Sequence, residues 1–324
     1  MTMHLLFLGF SSIVQRRVLP AAQAVRSIGE ISIASRSRPA PPAWPKSGRF
    51  FSDYHAALRN SGADIVYVSL PNSMHDEWVM AALAAGKHVV VDKPAVMTLE
   101  GAERVIEQAR GAHRLVAEAT VFSYHPQFDK LKAFVAEYGP LRLVDAHFMI
   151  PPLPIANFRN YAELGGGCLL DMGSYAASTM RIFGGKSPSQ IITALGAGRH
   201  PETGVDMGFS VQARLANGAI FAGHFSLEGE YQNRMLIVGR SGSVMIERVF
   251  SPPADLKIEW RLRVRNHESV LTLEPADTFA QFLESAVRAA VAGEYDQLHR
   301  DLLSDARCRS AIADAIATAS QPFA

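Results

Sequence analysis

Hydrophobic residues in the first 118 positions fall into short runs separated by longer amphipathic stretches. The runs are rich in β-branched residues, as in buried strands of a parallel sheet, and the stretches between them have helical spacing. Four prolines within residues 39–45 predict an extended surface loop after the second run. The pattern therefore predicts a doubly wound α/β unit. Its strands are predicted at His4–Leu8, Ile31–Ala34, Ile65–Ser69, His88–Val91 and Leu115–Glu118, and its helices at about 12–28, 52–61, 73–85 and 98–112.

The pattern changes after Val121, where a proline-rich break leads to the glycine triplet 165–167. Strand-like runs then continue from 189 to 273 without helical stretches between them, and Asn217-Gly218 and Ser241-Gly242 predict turns. This order predicts an α+β domain built on a large open, mostly antiparallel sheet. Strands are predicted at 141–150, 189–197, 205–215, 219–227, 233–239, 243–248, 257–264 and 268–273, and helices at about 126–137, 171–183, 276–292 and 301–319.

Length and composition indicate a two-domain globular protein. At roughly 150 residues per domain, the 324 residues predict two domains, placed at 1–120 and 121–324. A hydrophobic share of 48% excludes a disordered chain. The net charge of +1 argues against a nucleic-acid partner, and no apolar run is long enough to cross a membrane. The two cysteines cannot form a disulfide framework, so we expect a cytoplasmic protein.

Apolar residues occupy both faces of some strands in the second domain. Ala219-Ile220-Phe221 and Met235-Leu236-Ile237-Val238 are examples. One face of this sheet would pack against its own helices, and the other would expose a large apolar patch. The sequence therefore predicts a homodimer or homotetramer.

The turn after the first strand has part of a dinucleotide-binding pattern. In such a fold this turn brings backbone amides and a helix N-terminus to the pyrophosphate. Gly9 is the only one of the three expected glycines, but the Ser11 hydroxyl could bond a phosphate oxygen, and Ser12 and Ile13 complete the turn. The alternative interpretation is an ordinary strand-to-helix turn.

The end of the second strand favours NADP over NAD. An NAD site usually carries a carboxylate here for the ribose 2′-hydroxyl, whereas this chain has Ser35, Arg36 and Arg38. A hydroxyl beside guanidinium groups suits a 2′-phosphate. The alternative is a solvated basic loop.

Three further blocks resemble a known family. They are Ser69-Leu70-Pro71-Asn72-Ser73-Met74-His75, the segment from Ala85 to Pro94, and the segment from Gly165 to Tyr175. Over nearly the whole chain the sequence resembles the Gfo/Idh/MocA family of sugar oxidoreductases. The resemblance implies a Rossmann domain that binds NADP, followed by an α+β domain that binds substrate and forms the oligomer.

The resemblance implies two catalytic residues. Lys93 matches the lysine of the family's Glu-Lys-Pro tripeptide, with Asp92 in place of Glu. Tyr175 stands where the family often has His, which is similar to the NADPH-dependent 3-ketoreductases of nucleotide-linked deoxysugars. Which of the two donates the proton is left open.

The resemblance also implies binding residues. Arg159 and Asp171 would contact the cofactor from the second domain. The nicotinamide half would be lined by Tyr54, Leu70, Pro71, Asn72 and His75, and weaker candidates for the sugar nucleotide are Arg17, Tyr231 and Asn233. For the last three, a solvated helix face or an ordinary edge-strand pair is the alternative.

These observations predict an NADP(H)-dependent oxidoreductase, with a 3-ketoreductase of a nucleotide-linked sugar as first choice. The alternatives are a dehydrogenase of a free aldose or trans-dihydrodiol, and a non-catalytic sensor of NADP or sugar. Retention of both Lys93 and Tyr175 argues against the sensor. No cluster of histidines and cysteines has metal-ligand spacing, so no metal is expected.

Overall fold

The computed structural model describes residues 2–42, 44–185 and 190–319. The chain divides into two compact units. Unit 1 takes the chain up to Val121 together with Phe279–Leu303, and unit 2 takes Phe122–Thr278 and the chain from Ser304 onward.

Unit 1 is built on a six-stranded sheet in the order β3-β2-β1-β4-β5-β6, with all neighbours parallel. The central strands β1, β4 and β5 are almost wholly buried and apolar, as expected for strands covered on both faces. Because the strands are parallel, their carboxyl ends meet at one edge of the sheet. The strands are β1 (Met3–Leu8), β2 (Ile28–Ala34), β3 (Ser47–Phe51), β4 (Ile65–Val68), β5 (His88–Val91) and β6 (Val116–Glu118).

Polar caps define where two helices of unit 1 begin. Asp53 accepts a hydrogen bond from the Ala56 N–H at 2.7 Å, and Thr98 accepts one from the Gly101 N–H at 3.0 Å. The helices in this part of the chain are α1 (Leu19–Ala24), preceded by a π-turn at Val14–Val18, then α2 (Tyr54–Asn60), α3 (His75–Ala84) and α4 (Leu99–Gly111).

The structure of unit 1 differs from the sequence prediction at β3, at the end of the first helix and at β2, which begins at Ile28 rather than Ile31. Strand β3 follows the proline-rich loop and was not predicted, because its side chains are exposed or half-buried and its sequence has no apolar run. The first helix ends at Ala24 rather than 28, since Val25 is extended and Ile28 is already paired with Met3 in the sheet.

Unit 2 contains an eight-stranded sheet in the order β14-β13-β12-β11-β7-β10-β9-β8. All neighbours are antiparallel except β7 and β10, which confirms the predicted mostly antiparallel sheet. The strands are β7 (Leu141–Met149), β8 (Gln190–Gly196), β9 (Gly208–Arg214), β10 (Ile220–Ser226), β11 (Gln232–Gly239), β12 (Gly242–Glu247), β13 (Ile258–Val264) and β14 (His267–Leu273). Ser189, where the first of the unbroken strands was predicted to begin, lies outside the described residues.

The remaining helices match the predicted positions with shifts at their ends, the largest at α8, which begins at Asp296 rather than 301. Helix α6 begins three residues earlier than predicted, because the Leu169 N–H donates to the Asp206 carboxylate at 2.6 Å, a partner distant in sequence. The helices are α5 (Gln127–Tyr138), α6 (Cys168–Gly184), α7 (Thr278–Ala292) and α8 (Asp296–Ala319).

The predicted division into 1–120 and 121–324 differs from the structure in one respect. Residues 279–303 belong to unit 1. Within that unit the Arg17 guanidinium lies 5.3 Å from the centre of the Phe279 ring, and the Val116 N–H donates to His299 Nε2 at 3.2 Å. These contacts join residues far apart in sequence, so a division made along the chain does not include them.

No helix among the described residues is both long enough and apolar enough to span a bilayer. In the same ranges no group of three or more His, Cys, Asp or Glu side chains could hold a metal ion.

Candidate active site

The turn after β1 fits only glycine at position 9. Gly9 has φ +97°, and a Cβ placed there would lie 2.1 Å from the carbonyl oxygen of Ser69. Ser12 and Ile13 follow in helical conformation. The turn therefore packs directly against the end of β4, and the backbone from Gly9 to Ile13 lies at the carboxyl edge of the sheet.

Ser11 makes two hydrogen bonds at the carboxyl edge of the sheet. Its hydroxyl lies 2.8 Å from the Ser69 hydroxyl and accepts from the Val14 N–H at 3.2 Å. Val14, at the third glycine position of the pattern, is fully buried and starts the π-turn. Serine and valine thus take positions where the pattern has glycine, and the structure gives both side chains packing partners.

Ser35, Arg36 and Arg38 follow β2, and each contacts a different part of unit 1. Ser35 is buried, and its hydroxyl accepts from the Arg38 N–H at 3.1 Å. The Arg36 guanidinium lies 4.5 Å from the Tyr54 ring centre and 5.2 Å from that of Trp78. Arg38 instead lines a cavity of about 520 Å³ against the proline-rich loop.

The aromatic pair under Arg36 is preorganised. The Tyr54 and Trp78 rings meet edge to face at 5.0 Å, and both are almost fully buried. Burial raises the pKa of the Tyr54 hydroxyl, opposed by a backbone hydrogen bond and the positive charge of Arg36. The guanidinium therefore rests on a fixed platform, and its contact with two rings restricts its rotamers.

The segment after β4 is tied to the segment after β5 by His75. The His75 ring is fully buried, with Nδ1 2.8 Å from the Pro94 carbonyl oxygen and Nε2 2.9 Å from that of Leu70. Pro71 and Asn72 lie between, and Asn72 begins a short 3-10 helix. His75 thereby fixes Leu70 relative to the residue that follows Lys93.

Lys93 lies directly beyond β5 and is half-buried. The residue before it, Asp92, accepts from the Tyr67 hydroxyl at 2.6 Å and from the Ser69 hydroxyl. Two residues further on, the Ala95 N–H donates to Glu118 Oε2 at 2.8 Å. The backbone on both sides of the lysine is thus held by side chains of neighbouring strands.

In unit 2, Tyr175 lies on α6 among aromatic rings. Its ring centre is 5.6 Å from that of Phe122, 5.1 Å from Phe148 and 5.2 Å from Phe250. The side chain is half-buried, so the ring is packed while part of the residue reaches the surface of the unit.

Arg159 and Asp171 form an ion pair. Arg159 Nε lies 2.8 Å from Asp171 Oδ1, and the carboxylate is nearly fully buried. A Cβ at Gly166 would be 2.4 Å from the Arg159 carbonyl oxygen, so the glycine triplet lets this backbone pack closely. Asp171 and Tyr175 are four residues apart on α6 and therefore share a helix face.

The weaker candidates have partners of their own. Asn233 is buried, donates to Tyr231 and Ser251 at 3.1 and 3.0 Å, and accepts from the Phe250 N–H at 2.9 Å. These bonds give Asn233 a structural role, and its contact with substrate stays a prediction. The Arg248 guanidinium carbon lies 4.7 Å from the centre of the Tyr231 ring.

The structure brings the unit 1 candidates to one edge of the sheet, except Arg17, whose guanidinium lies against Phe279. Sequence reasoning missed Trp78, Tyr67 and the pairing of Ser69 with Asp92. Nothing in the local pattern marks these residues, because each contact joins different strands or helices.

Comparison with known proteins identifies relatives over nearly the whole chain. Residues 4–120 match the oxidoreductase family with an NAD-binding Rossmann fold, and residues 128–245 match the GFO/IDH/MocA C-terminal domain. A dTDP-3,4-didehydro-2,6-dideoxy-alpha-D-glucose 3-reductase from Saccharopolyspora spinosa is 34% identical over 298 residues, 88% of this chain and 87% of the relative.

A second reductase with the same name, from Actinomadura kijaniata, is 30% identical over 325 residues, 97% of this chain and 94% of the relative. Among solved structures, a 3-ketoreductase from Actinomadura kijaniata in complex with NADP and TDP-benzene superposes with a TM-score of 0.89. That match has 30% sequence identity and covers 97% of this chain and 98% of the other.

Proposed function

The chain belongs to the Gfo/Idh/MocA family of oxidoreductases, and on that basis we propose that it is an NADPH-dependent 3-ketoreductase of a nucleotide-linked deoxysugar. The observation that carries the proposal is the carboxyl edge of the unit 1 sheet. There the glycine-only turn, the basic residues after β2 and Lys93 follow the ends of β1, β2 and β5.

The residues present fit NADP. A Cβ at Gly9 would meet the Ser69 carbonyl oxygen, so the turn keeps the tight backbone path of a dinucleotide-binding turn, and no carboxylate directly follows β2. The Gly9 N–H donates to the Ala34 carbonyl oxygen at 2.9 Å, so Gly9 would shape the turn and the amides from Phe10 to Ile13 would hold the pyrophosphate. Ser35 with Arg36 and Arg38 would hold the 2′-phosphate. Leu70, Pro71, Asn72 and His75 would line the nicotinamide half, with Arg159 and Asp171 contributing from unit 2.

Lys93 and Tyr175 are the proposed catalytic residues. NADPH, when bound, supplies the hydride. As the sugar carbonyl is reduced, negative charge grows on its oxygen and a proton must reach it. The Lys93 ammonium and the Tyr175 hydroxyl are the two donors in the proposal: one gives the proton and the other stabilises the charge.

The nucleotide part of the substrate would be held by Arg17 and by the Tyr231–Asn233 pair. The Arg17 guanidinium, which lies against the Phe279 ring, carries a positive charge suited to a diphosphate. The face of the Tyr231 ring that the Arg248 guanidinium does not cover would stack on a base. The fully bonded Asn233 amide would then act by orienting Tyr231.

We further propose that the protein works in the cytoplasm as a homodimer or homotetramer. Both cysteines are free thiols, as in a reducing compartment. On one face of the unit 2 sheet, Leu236, Val238 and Met245 are half-buried rather than packed in the core, and a second copy would cover them.

The test is a substrate screen that follows NADPH absorbance. A dTDP-linked 3-keto sugar should oxidise NADPH, and the same sugar without its nucleotide should react far more slowly. Reduction of NADP by a free aldose or a trans-dihydrodiol, with no turnover of any nucleotide-linked keto sugar, would replace the proposal with the corresponding dehydrogenase.

A further inference from the structure

Four polar side chains form a continuous line along the carboxyl edge of the unit 1 sheet. Ser11 lies 2.8 Å from Ser69, Ser69 bonds to one carboxylate oxygen of Asp92, and Tyr67 bonds to the other at 2.6 Å. We call this line the Asp92 chain. It connects the turn after β1 with the ends of β4 and β5.

The direction of every bond in the Asp92 chain follows from the number of available protons. An ionised carboxylate only accepts, so Tyr67 and Ser69 must each donate to Asp92. Ser69 has one hydroxyl proton and has used it, so Ser11 donates to Ser69. The Val14 N–H in turn donates to Ser11.

This direction has a consequence for Ser11. Its single proton points to Ser69, so its hydroxyl has no proton left for a phosphate oxygen. The pyrophosphate would therefore be held by backbone N–H groups, and Ser11 would contribute by fixing the turn that carries them.

The middle of the Asp92 chain is protected from water, whereas Ser11 and Asp92 at its two sides are half-buried. Tyr67 is fully buried and Ser69 is 3% exposed. Burial, together with the Asp92 charge and hydrogen bond, raises the pKa of the Tyr67 hydroxyl well above its usual value, so Tyr67 stays protonated and donates. A hydrogen bond to a charged group in such surroundings is stronger than one at the surface.

We propose that Asp92 is a positioning residue: as the common acceptor of Tyr67 and Ser69, it holds the turn after β1 and the backbone of Lys93 in one arrangement. The inference rests on the proposed function, in which Lys93 acts on the substrate carbonyl and the turn binds NADPH. Asp92 itself need not touch either.

The length of the side chain matters for this role. Glu at position 92 would carry its carboxylate one methylene further from the backbone. It could not keep both bonds unless Tyr67 in β4 or Ser69 directly after β4 moved, and both are buried. We therefore expect Asp92→Glu to weaken the hydrogen bonds of the Asp92 chain although the negative charge is retained.

The experiment uses Ser69→Ala, which breaks the link from the turn to Asp92 and leaves the Tyr67 bond. Ser32→Ala is the matched control, because Ser32 is a fully buried serine of the same sheet that bonds His4 and the Arg49 N–H, away from the chain. Thermal midpoints by circular dichroism show whether both variants fold. NADPH affinity is measured by fluorescence titration, without turnover, and kcat with the accepted sugar.

Ser69→Ala should weaken NADPH binding about fivefold and lower kcat about tenfold, the scale of one hydrogen bond to a charged group. Ser32→Ala should leave both within about twofold. In a Lys93→Ala background, the effect of Ser69→Ala on kcat should disappear while its effect on NADPH affinity remains. In Asp92→Asn the amide nitrogen would face the hydroxyl of Tyr67 or Ser69, which is a donor. This variant should therefore lose more NADPH affinity and more kcat than Ser69→Ala.

Equal kcat losses from Ser69→Ala in the wild-type and Lys93→Ala backgrounds would overturn the inference, and so would unchanged NADPH affinity. If Ser69→Ala proves too unstable to assay, Tyr67→Phe removes the bond to the other oxygen of Asp92 and leaves the link from Ser11 through Ser69 in place. It should lower kcat only when Lys93 is present and leave NADPH affinity unchanged, and an equal kcat loss in both backgrounds would overturn the inference. Full activity of Lys93→Ala alone would contradict the proposed function instead, and the NADPH titration would still test whether Ser69 fixes the turn.

Discussion

The Arg36 guanidinium lies over the buried Tyr54 ring, 4.5 Å from its centre, and 5.2 Å from the centre of the Trp78 ring. Arg36 is nevertheless exposed, so its guanidinium is held by the two rings and still accessible to a ligand. An arginine already fixed in this way loses little rotamer entropy when it binds a phosphate.

Arg36→Ala should remove most of the preference for NADPH over NADH. The wild-type protein should bind NADPH at least about tenfold more tightly, which corresponds to about 1.4 kcal/mol. Arg49→Ala is the control, because Arg49 is also exposed and stacked on a ring, that of Phe51, at 5.2 Å. Equal affinity of the wild type for both cofactors in a fluorescence titration would contradict the 2′-phosphate assignment.

Lys93→Ala should lower kcat about a hundredfold or more, the usual scale for an acid–base group, with little change in NADPH affinity. Lys87→Ala, which removes another lysine close to β5, should have almost no effect. Steady-state kinetics together with a cofactor titration separate the two effects.

Tyr175→Phe should lower kcat by a similar or smaller factor, because only a hydroxyl is lost. Tyr138→Phe is the control, since Tyr138 is a half-buried tyrosine of unit 2 packed on Phe134 at 4.8 Å. If Lys93 and Tyr175 act on the same oxygen, the double variant should lose less than the product of the single losses. Strictly multiplicative losses would show that they act separately.

Gly9→Ala should abolish NADPH binding and destabilise the fold, because the new methyl group would meet the Ser69 carbonyl oxygen. Gly86→Ala is the control: Gly86 has φ +72°, but no neighbouring atom lies within 4 Å of the place that a Cβ would take. It should cost only the backbone strain of about 1–2 kcal/mol. Urea unfolding curves for both variants make the comparison, and equal losses would exclude close contact as the cause.

Stability should fall as the pH drops from about 6.5 to about 4. Burial, helped by the charge of Arg114 and opposed by Asp64, lowers the pKa of His88 to about 4. Its Nδ1 accepts from the Leu115 N–H at 3.0 Å, which requires the unprotonated nitrogen. As the pH falls, the unfolded chain takes up a proton on His88 before the folded protein does. The contribution of neutral His88 to the free energy of unfolding is therefore complete above pH 6.5 and is lost between about pH 6.5 and pH 4.

His88→Gln keeps an acceptor without the titration and should therefore flatten this part of the pH dependence of the free energy of unfolding. Urea denaturation at pH 7 and pH 5 is the measurement. A drop in stability as large as that of the wild type would assign the effect to other groups.

Much of the architecture was predictable because it depends on local periodicity. The strands β1, β4 and β5 are apolar along nearly their whole length, and a strand buried on both faces requires this at every position. The alternation of β9 to β12 follows in the same way from one buried face. Lys93 and Tyr175 are named through short motifs that resemble those of a family, and their catalytic role stays a prediction.

Only the tertiary structure determined which of these residues meet. The sequence by itself predicted the order of strands and helices, the basic residues after β2 and the lysine after β5, because these are properties of neighbouring residues. The edge strand β3, the place of residues 279–303, the Trp78 platform and the Asp92 chain depend on contacts between segments tens of residues apart. Such contacts arise from the path of the whole chain, since packing and hydrogen bonds form between whichever side chains that path brings together, and no local pattern records them.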